Sequence, residues 1–86
     1  MIKELLIKEN DRYKEFEISG DCDVMCIVAE ADEVVLYVND RGVYQKRTLC
    51  LTSCKTGETS PKGANYIGSI FNEIVKNTVH YFYRIK

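Results

Sequence analysis

The run Val34-Val35-Leu36-Tyr37-Val38, followed by Asn39-Asp40-Arg41-Gly42, decides the fold class of this 86-residue chain. Five consecutive β-branched, aromatic and aliphatic residues predict a strand, and the Asn, Asp and Gly that follow are typical of a tight hairpin turn. Because apolar side chains occupy both faces of this strand, each face needs cover from another part of the molecule.

The segments on either side of this run extend the prediction to a three-stranded meander over residues 23–53. Residues 23–29 are apolar on both faces, which predicts a central strand covered on both sides, with a helix through Ala29-Glu30-Ala31 as the alternative. Residues 43–53 alternate, so that apolar and polar side chains fall on opposite faces of a strand.

The N-terminal residues contain two weaker strand patterns. A short apolar run over residues 4–9 is followed by the turn pair Asn10-Asp11 and by weak alternation over residues 13–19. This pattern indicates either a first hairpin or a loose extension, before Gly20-Asp21 interrupts the chain.

The C-terminal part begins with a loop at residues 55–63, which holds the only proline. We interpret residues 64–70 as a strand and 71–77 as a turn or short helix, since several apolar residues there have helical spacing. Alternation over residues 79–85 predicts a final strand.

Together these patterns predict a single domain over residues 1–86, with residues 1–22 as an extension or hairpin. The expected fold is mainly β: a small antiparallel sheet or half-sandwich of five to six strands with at most one short helix. The length suits one core, because a chain this short buries only about 60% of its unfolded surface. Its longest apolar runs of a few residues fall short of the roughly 20 that a membrane helix needs, so we expect no membrane span. The first residues lack the apolar region of a signal peptide, which leaves the compartment unknown.

Charge is nearly balanced overall but is unevenly distributed. The net charge of −1, from 12 basic and 13 acidic side chains, argues against a nucleic-acid partner. Residues 1–43 hold 5 basic and 11 acidic groups, whereas residues 44–86 hold 7 basic and 2 acidic groups. We expect the two halves to attract each other within one fold, with partner orientation as the alternative.

Four cysteines form two pairs with the same spacing, Cys22 with Cys26 and Cys50 with Cys54. Both pairs lie on predicted strands, where residues four apart share a face but stand about 13 Å apart. This separation argues against a shared zinc ion and favours free, partly buried thiols, with disulfides as the alternative. We therefore expect no metal and no cofactor.

The sequence contains no recognisable combination of catalytic residues, so we assign no catalytic residue. The single histidine, His80, lies within a predicted strand and is interpreted as a surface or rim residue. Asp21 and Asp23 are interpreted as solvated charges at the start of a strand. The run Tyr81-Phe82-Tyr83 is taken as core and rim rather than a base-stacking surface, because neighbouring strand residues face opposite ways.

A series of short motifs resembles the first half of an L,D-transpeptidase catalytic domain. The motifs occur in the order and spacing of that family at residues 26–28, 33–42, 48–55, 60–63 and 66–68, and more loosely at 80–85. The resemblance thus covers about residues 24–70 and makes 23–86 an L,D-transpeptidase-like β region. The chain departs from the family pattern at Cys54, Ser60 and Asn65.

The resemblance implies a link to bacterial peptidoglycan cross-linking in the cell wall, outside the cytoplasmic membrane. The family's nucleophile lies in a Ser-His-Gly-Cys-x-Arg signature, which does not occur in this sequence. Catalysis by a thiolate needs a histidine base within hydrogen-bonding reach, and this sequence could supply one by pairing Cys54 or Cys50 with His80 across a sheet. We therefore expect a catalytically incomplete, truncated L,D-transpeptidase-like domain without enzymatic activity on its own.

The alternative is a small β-rich protein–protein interaction module, for example of a mobile element. Its partner would be another protein or a peptidoglycan peptide. A homodimer is also expected, since one small sheet cannot cover both apolar faces of residues 24–29 and 34–38. The rival cover is the N-terminal segment, through its apolar residues Leu5, Leu6, Ile7, Phe16 and Ile18.

Overall fold

Seven β-strands form two antiparallel sheets that share one core. A computed structural model describes residues 1–8, 11–31, 33–42 and 45–86. The strands are β1 (Ile2–Lys8), β2 (Tyr13–Ser19), β3 (Cys22–Glu30), β4 (Glu33–Asp40), β5 (Lys46–Lys55), β6 (Asn65–Asn72) and β7 (Asn77–Ile85). The described residues contain no helix, so the mainly β prediction is confirmed, with seven strands where five to six were expected.

The strand order is β1-β4-β3 in the three-stranded sheet and β2-β5-β7-β6 in the four-stranded sheet. The two sheets pack face to face as a sandwich, because alternate residues of both point into a common core. The fully covered centre of this core is formed by Val34, Leu36 and Val38 of β4 with Leu49 and Tyr81 of the other sheet. Among the described residues, no helix is long and apolar enough to span a membrane.

The N-terminal segment supplies one strand to each sheet. β1 pairs with β4 and β2 pairs with β5, so the two strands do not form the hairpin that was one of the two predictions. Ile7 and Ile18 are buried in the shared core, and Leu5 and Phe16 pack against it. The segment is therefore an integral part of both layers rather than a loose extension.

The predicted meander over residues 23–53 is correct only for its first two strands. β3 and β4 form a hairpin, but β5 crosses to the other sheet and pairs with β2 and β7. The predicted turn at residues 39–42 is the start of this crossing, where Gly42 has a φ of 72°. The predicted strand residues Val43 and Tyr44 lie outside the described residues.

The strand β3 is an edge strand, not the central strand that its apolar sequence predicts. A bulge between Val24 and Cys26 shifts its register against β4. Met25, within the bulge, and Val28, after it, are exposed. β4 occupies the central position instead, which explains why both of its faces are apolar.

The C-terminal half agrees with the sequence-based prediction. Residues 73–76 form a turn that joins β6 to β7, and Val79, Tyr81, Tyr83 and Ile85 of β7 face or pack against the core. The apolar residues Ile74 and Val75, which had helical spacing, are exposed in the turn.

Candidate interaction surface

The outer face of the four-stranded sheet carries a row of aromatic side chains. Thr52 of β5 lies opposite Tyr13 of β2 and Phe82 of β7, and Phe82 in turn lies opposite Tyr66 of β6. Residues opposite each other in antiparallel strands share a face. Tyr13, Thr52, Phe82 and Tyr66 therefore cross the whole sheet in one line, which we call the aromatic row.

The two ends of the aromatic row are open to solvent. Tyr66 is 59% exposed and Tyr13 is 52% exposed. The rings of Tyr66 and Phe82 meet edge to face with centroids 5.5 Å apart, whereas the small Thr52 separates them from Tyr13. The result is a shallow surface with a ring pair on one side and a single ring on the other.

Hydrogen bonds hold Tyr13 at its end of the row. Its hydroxyl donates to Glu15 Oε2 at 2.5 Å, and the thiol of Cys50 lies 3.8 Å from the same oxygen. Hydrogen bonding with Cys50 and then with Glu15 raises the pKa of Tyr13. The bond from Tyr13 in turn lowers the pKa of Glu15, so at neutral pH the phenol is protonated and the carboxyl is ionised.

A chain of polar side chains holds Tyr66 at the other end. Its hydroxyl lies 2.5 Å from Ser69 Oγ, and Ser69 Oγ lies 2.6 Å from His80 Nδ1. The other ring nitrogen, Nε2, lies 2.8 Å from Thr56 Oγ1. His80 and Ser69 each bond to two neighbours, and Thr56 and Tyr66 form the ends of this hydrogen-bonded chain. The chain therefore limits the motion of the exposed Tyr66 ring.

The pairing of β5 with β7 places Cys54 directly opposite His80, as one of the considered arrangements requires. Both ring nitrogens of His80, however, are engaged by the hydroxyls of Thr56 and Ser69. Cys54 is buried and Cys50 contacts Glu15. The structure thus brings a thiol and the histidine together in the sheet without a hydrogen bond between them.

The cysteine pairs lie on strands as predicted, but the prediction of a shared face is wrong for Cys22 and Cys26. The bulge between Val24 and Cys26 reverses the alternation, so Cys22 packs against the core while Cys26 is exposed. Burial raises the pKa of the Cys22 thiol. All four cysteines are free, and no group of three potential metal ligands occurs in the described part of the chain.

The other residues singled out in the sequence have structural surroundings. Tyr81 and Tyr83 face the core side, whereas Phe82 faces outward in the aromatic row. Asp23 pairs with Arg41, whose guanidinium also lies 3.8 Å from Asp21. These carboxylates tie the start of β3 to the end of β4 rather than forming a catalytic pair.

Sequence reasoning missed Tyr13 and Tyr66 as parts of one surface. Alternation indicates which residues of a single strand share a face, but not which strands become neighbours. Tyr13 and Tyr66 are brought into line only by the pairing of β2 with β5 and of β6 with β7.

Comparisons of this chain with protein-family models, with curated proteins and with solved structures found no match. The fold and surface define a small antiparallel β-sandwich with an aromatic outer face.

Proposed function

We propose that the protein is a non-enzymatic interaction module that binds another protein through the outer face of its four-stranded sheet. The observation that carries this proposal is the aromatic row, whose exposed tyrosines are held by hydrogen bonds at both ends. Tyrosine and phenylalanine are enriched in protein interfaces, where they bury a large area at a low cost in side-chain entropy.

Charges around this face support a protein partner over a nucleic acid. Glu15 lies 3.7 Å from Lys86, and Glu17 lies 3.0 Å from Lys46. These pairs connect the acidic and basic halves of the sequence, as the charge distribution predicts. Because Lys86 and Lys46 are paired with carboxylates, the charges near the row are close to balanced and lack the large basic excess that extensive phosphate contacts require.

The sheet edges are a poorer docking surface than this face. The edge strands β1 and β2 carry charged residues at several positions, among them Lys3, Glu4, Lys14 and Glu17. Charged residues on edge strands oppose pairing with another strand, and the bulges in β3 and β6 do the same at the other two edges. The partner is therefore expected on the face of the sheet.

Affinity capture with matched baits tests the proposal. The wild-type protein, Tyr66→Ser and the control Met25→Ser are immobilised at equal density, and the retained proteins are quantified. Met25 is 50% exposed and lies on β3 of the other sheet, outside the aromatic row. Retention of one partner by the wild type and by the control, with loss in Tyr66→Ser, is the expected result.

The resemblance to L,D-transpeptidases supplies the second candidate, in which the partner is a peptidoglycan peptide. Its one favourable geometric feature is the position of Cys54 opposite His80. Since the ring nitrogens of His80 are bonded to hydroxyls instead, we expect no exchange between a tetrapeptide donor and a diaminopimelate acceptor. Turnover that is lost in Cys54→Ala and retained in Cys26→Ala would contradict the non-enzymatic proposal.

A further inference from the structure

A cleft of about 490 Å³ opens at one end of the sandwich, away from the centre of the aromatic row. Lys8, Asp11 and Arg12 line one part of the cleft, and the rest is lined by residues at the end of β5, by Glu58 and Val79, and by the β6–β7 turn. Its volume lies within the range of small-molecule sites, which is about 300–1,000 Å³. Lys8, Ser53, Asn72 and Ile74 are among the lining residues.

The apolar part of the cleft is held in place by the turn. The side-chain oxygen of Asn72 accepts hydrogen bonds from the backbone nitrogens of Ile74 at 2.9 Å and Val75 at 3.3 Å. These bonds hold two exposed apolar side chains beside the buried Val79. The turn therefore presents a fixed apolar wall that no described residue covers.

One polar donor in the cleft is uncommitted. Asn72 is only 8% exposed, and its oxygen is used by the turn, while its amide nitrogen bonds to no other described residue. Within the described residues, no fully buried side-chain nitrogen or oxygen lacks a partner, so this amide nitrogen retains accessible surface. Since Asn72 lines the cleft, its amide group is available to an acceptor inside it.

The charges around the cleft leave a positive excess. Arg12 pairs with Glu58 at 2.6 Å, and Glu58 also accepts the backbone N–H of Lys55 at 2.7 Å. The carboxylate of Asp11 accepts the backbone N–H of Lys8 at 3.2 Å. The ammonium groups of Lys8 and Lys55 form no ion pair with any described residue, so the cleft can attract an anion.

We propose that this cleft binds a small monocarboxylate with an apolar tail. The carboxylate accepts from the amide of Asn72 and from the lysine ammonium groups, while the tail packs against Val79, Ile74 and Val75. A fatty acid and the C-terminus of an apolar peptide share this chemistry. The inference is independent of the aromatic row, which lies on the outer face of the sheet.

A titration followed by two-dimensional ¹H–¹⁵N NMR tests the proposal with the full chain. Octanoate should shift the amide signals of residues 53–55 and 72–75, whereas octylammonium, which has the same tail length and the opposite charge, should not. Octanamide should bind about three- to tenfold more weakly than octanoate, because it lacks the ionic contribution. Equal binding of octanoate and octanamide, or shifts only outside the cleft, would overturn the proposal.

Variants place the carboxylate within the cleft. Lys8→Met combined with Lys55→Met should weaken octanoate binding about tenfold, since two charge-assisted contacts are removed. The control Lys46→Met removes a cation that is paired with Glu17 elsewhere and should leave the affinity unchanged. An equal loss in the control would show general charge attraction and contradict the site.

A last comparison separates the two sources of the carboxylate. Acetyl-Ala-Ala-Leu is added as the free acid and as the C-terminal amide. Binding of the free-acid peptide without binding of its amide identifies a peptide C-terminus as a ligand. Binding of octanoate without binding of either peptide form identifies a fatty acid. Failure of both carboxylates to bind would contradict the shared chemistry.

Discussion

At the scale of single residues, Asp40 joins three parts of the chain at the end of β4. Its carboxylate accepts from Lys3 Nζ at 2.8 Å and from the Gly42 N–H at 2.9 Å, and it also bonds the hydroxyl of Ser19. Hydrogen bonds from Lys3, then from Ser19 and Gly42, hold the pKa of Asp40 well below its ordinary value. One carboxylate thereby fixes β1, β2 and the crossing between the sheets.

Asp40→Asn is expected to lower the melting temperature at pH 7, because the amide cannot replace the ionised acceptor. A lowered pKa means that folding favours the ionised carboxylate, so this stability is present above the unfolded pKa of about 4. It is lost as the pH falls from about 4 towards the folded pKa. The difference in melting temperature between wild type and variant should therefore be constant above about pH 5 and shrink progressively as the pH falls from about 4 towards about 2, with only part of it lost by about pH 3. A difference that is constant over this range, or one that is matched by the exposed control Glu33→Gln, would contradict this role.

At the scale of elements, Gly68 allows β6 of one sheet to approach β3 of the other. A Cβ atom at this position would lie 2.9 Å from the Cγ2 atom of Ile27, which is closer than packed atoms tolerate. Both strands contain a bulge here, between Val24 and Cys26 in β3 and between Tyr66 and Gly68 in β6. The close approach of the two strands therefore depends on the absence of a Cβ atom in Gly68.

Gly68→Ala is expected to lower the free energy of unfolding by about 1–3 kcal/mol through overpacking against Ile27. In the background of Ile27→Ala, which itself costs about 2–5 kcal/mol, the same change should cost less because the clashing methyl group is gone. Chemical denaturation of the four proteins measures this coupling. Combination of Gly68→Ala with the distant Leu49→Ala is the control and should be additive within about 0.5 kcal/mol. Additivity in the Ile27 cycle as well would contradict the proposed contact.

The positions of the strands along the chain are largely predictable from the sequence, whereas the pairing of the strands within the sheets is not. The unbroken apolar run of β4 and the alternation of β7 follow from local preference and burial, and both strands form as expected. The order of strands depends on contacts between distant segments, such as Leu5 with Leu36 in the pairing of β1 with β4. A bulge such as the one at Met25 also has no signal in the hydrophobic pattern, and it turns Cys26 to the opposite face. The aromatic row was missed for the same reason, since Tyr66 and Tyr13 are far apart in sequence.

At the scale of the whole molecule, the structure changes the basis of the homodimer prediction. That prediction assumed that the strand with Val35 has an uncovered face, yet Val35 is only 1% exposed within a single chain. Its neighbours across the sheet are Leu6 of β1 and Val28 of β3. The N-terminal segment, which was the rival cover, supplies both β1 and the core residue Ile18.

We therefore expect a monomer of 9.9 kDa in sedimentation equilibrium at micromolar concentration. Val35→Lys should lower the stability of this monomer by about 2–5 kcal/mol, because it buries a charge at a covered position. Leu6→Lys is the matched control on the same face, and it should cost much less because Leu6 is 48% exposed. A wild-type mass near twice the chain mass that Val35→Lys halves without unfolding would show that a second copy covers this face.

The central claim is that the aromatic row is the contact surface of a binding module. Quantitative capture with wild type, Tyr66→Ser, Tyr13→Ser and the control Met25→Ser tests it most directly, after each bait has been shown to keep its wild-type circular dichroism and melting profile. We expect one protein to be retained by the wild type and by the control, and its retention to fall at least about fivefold with either tyrosine change. A loss of this size corresponds to an exposed aromatic side chain that contributes about 1 kcal/mol or more to binding. Equal retention by all four baits, or a loss only with Met25→Ser, would contradict the claim.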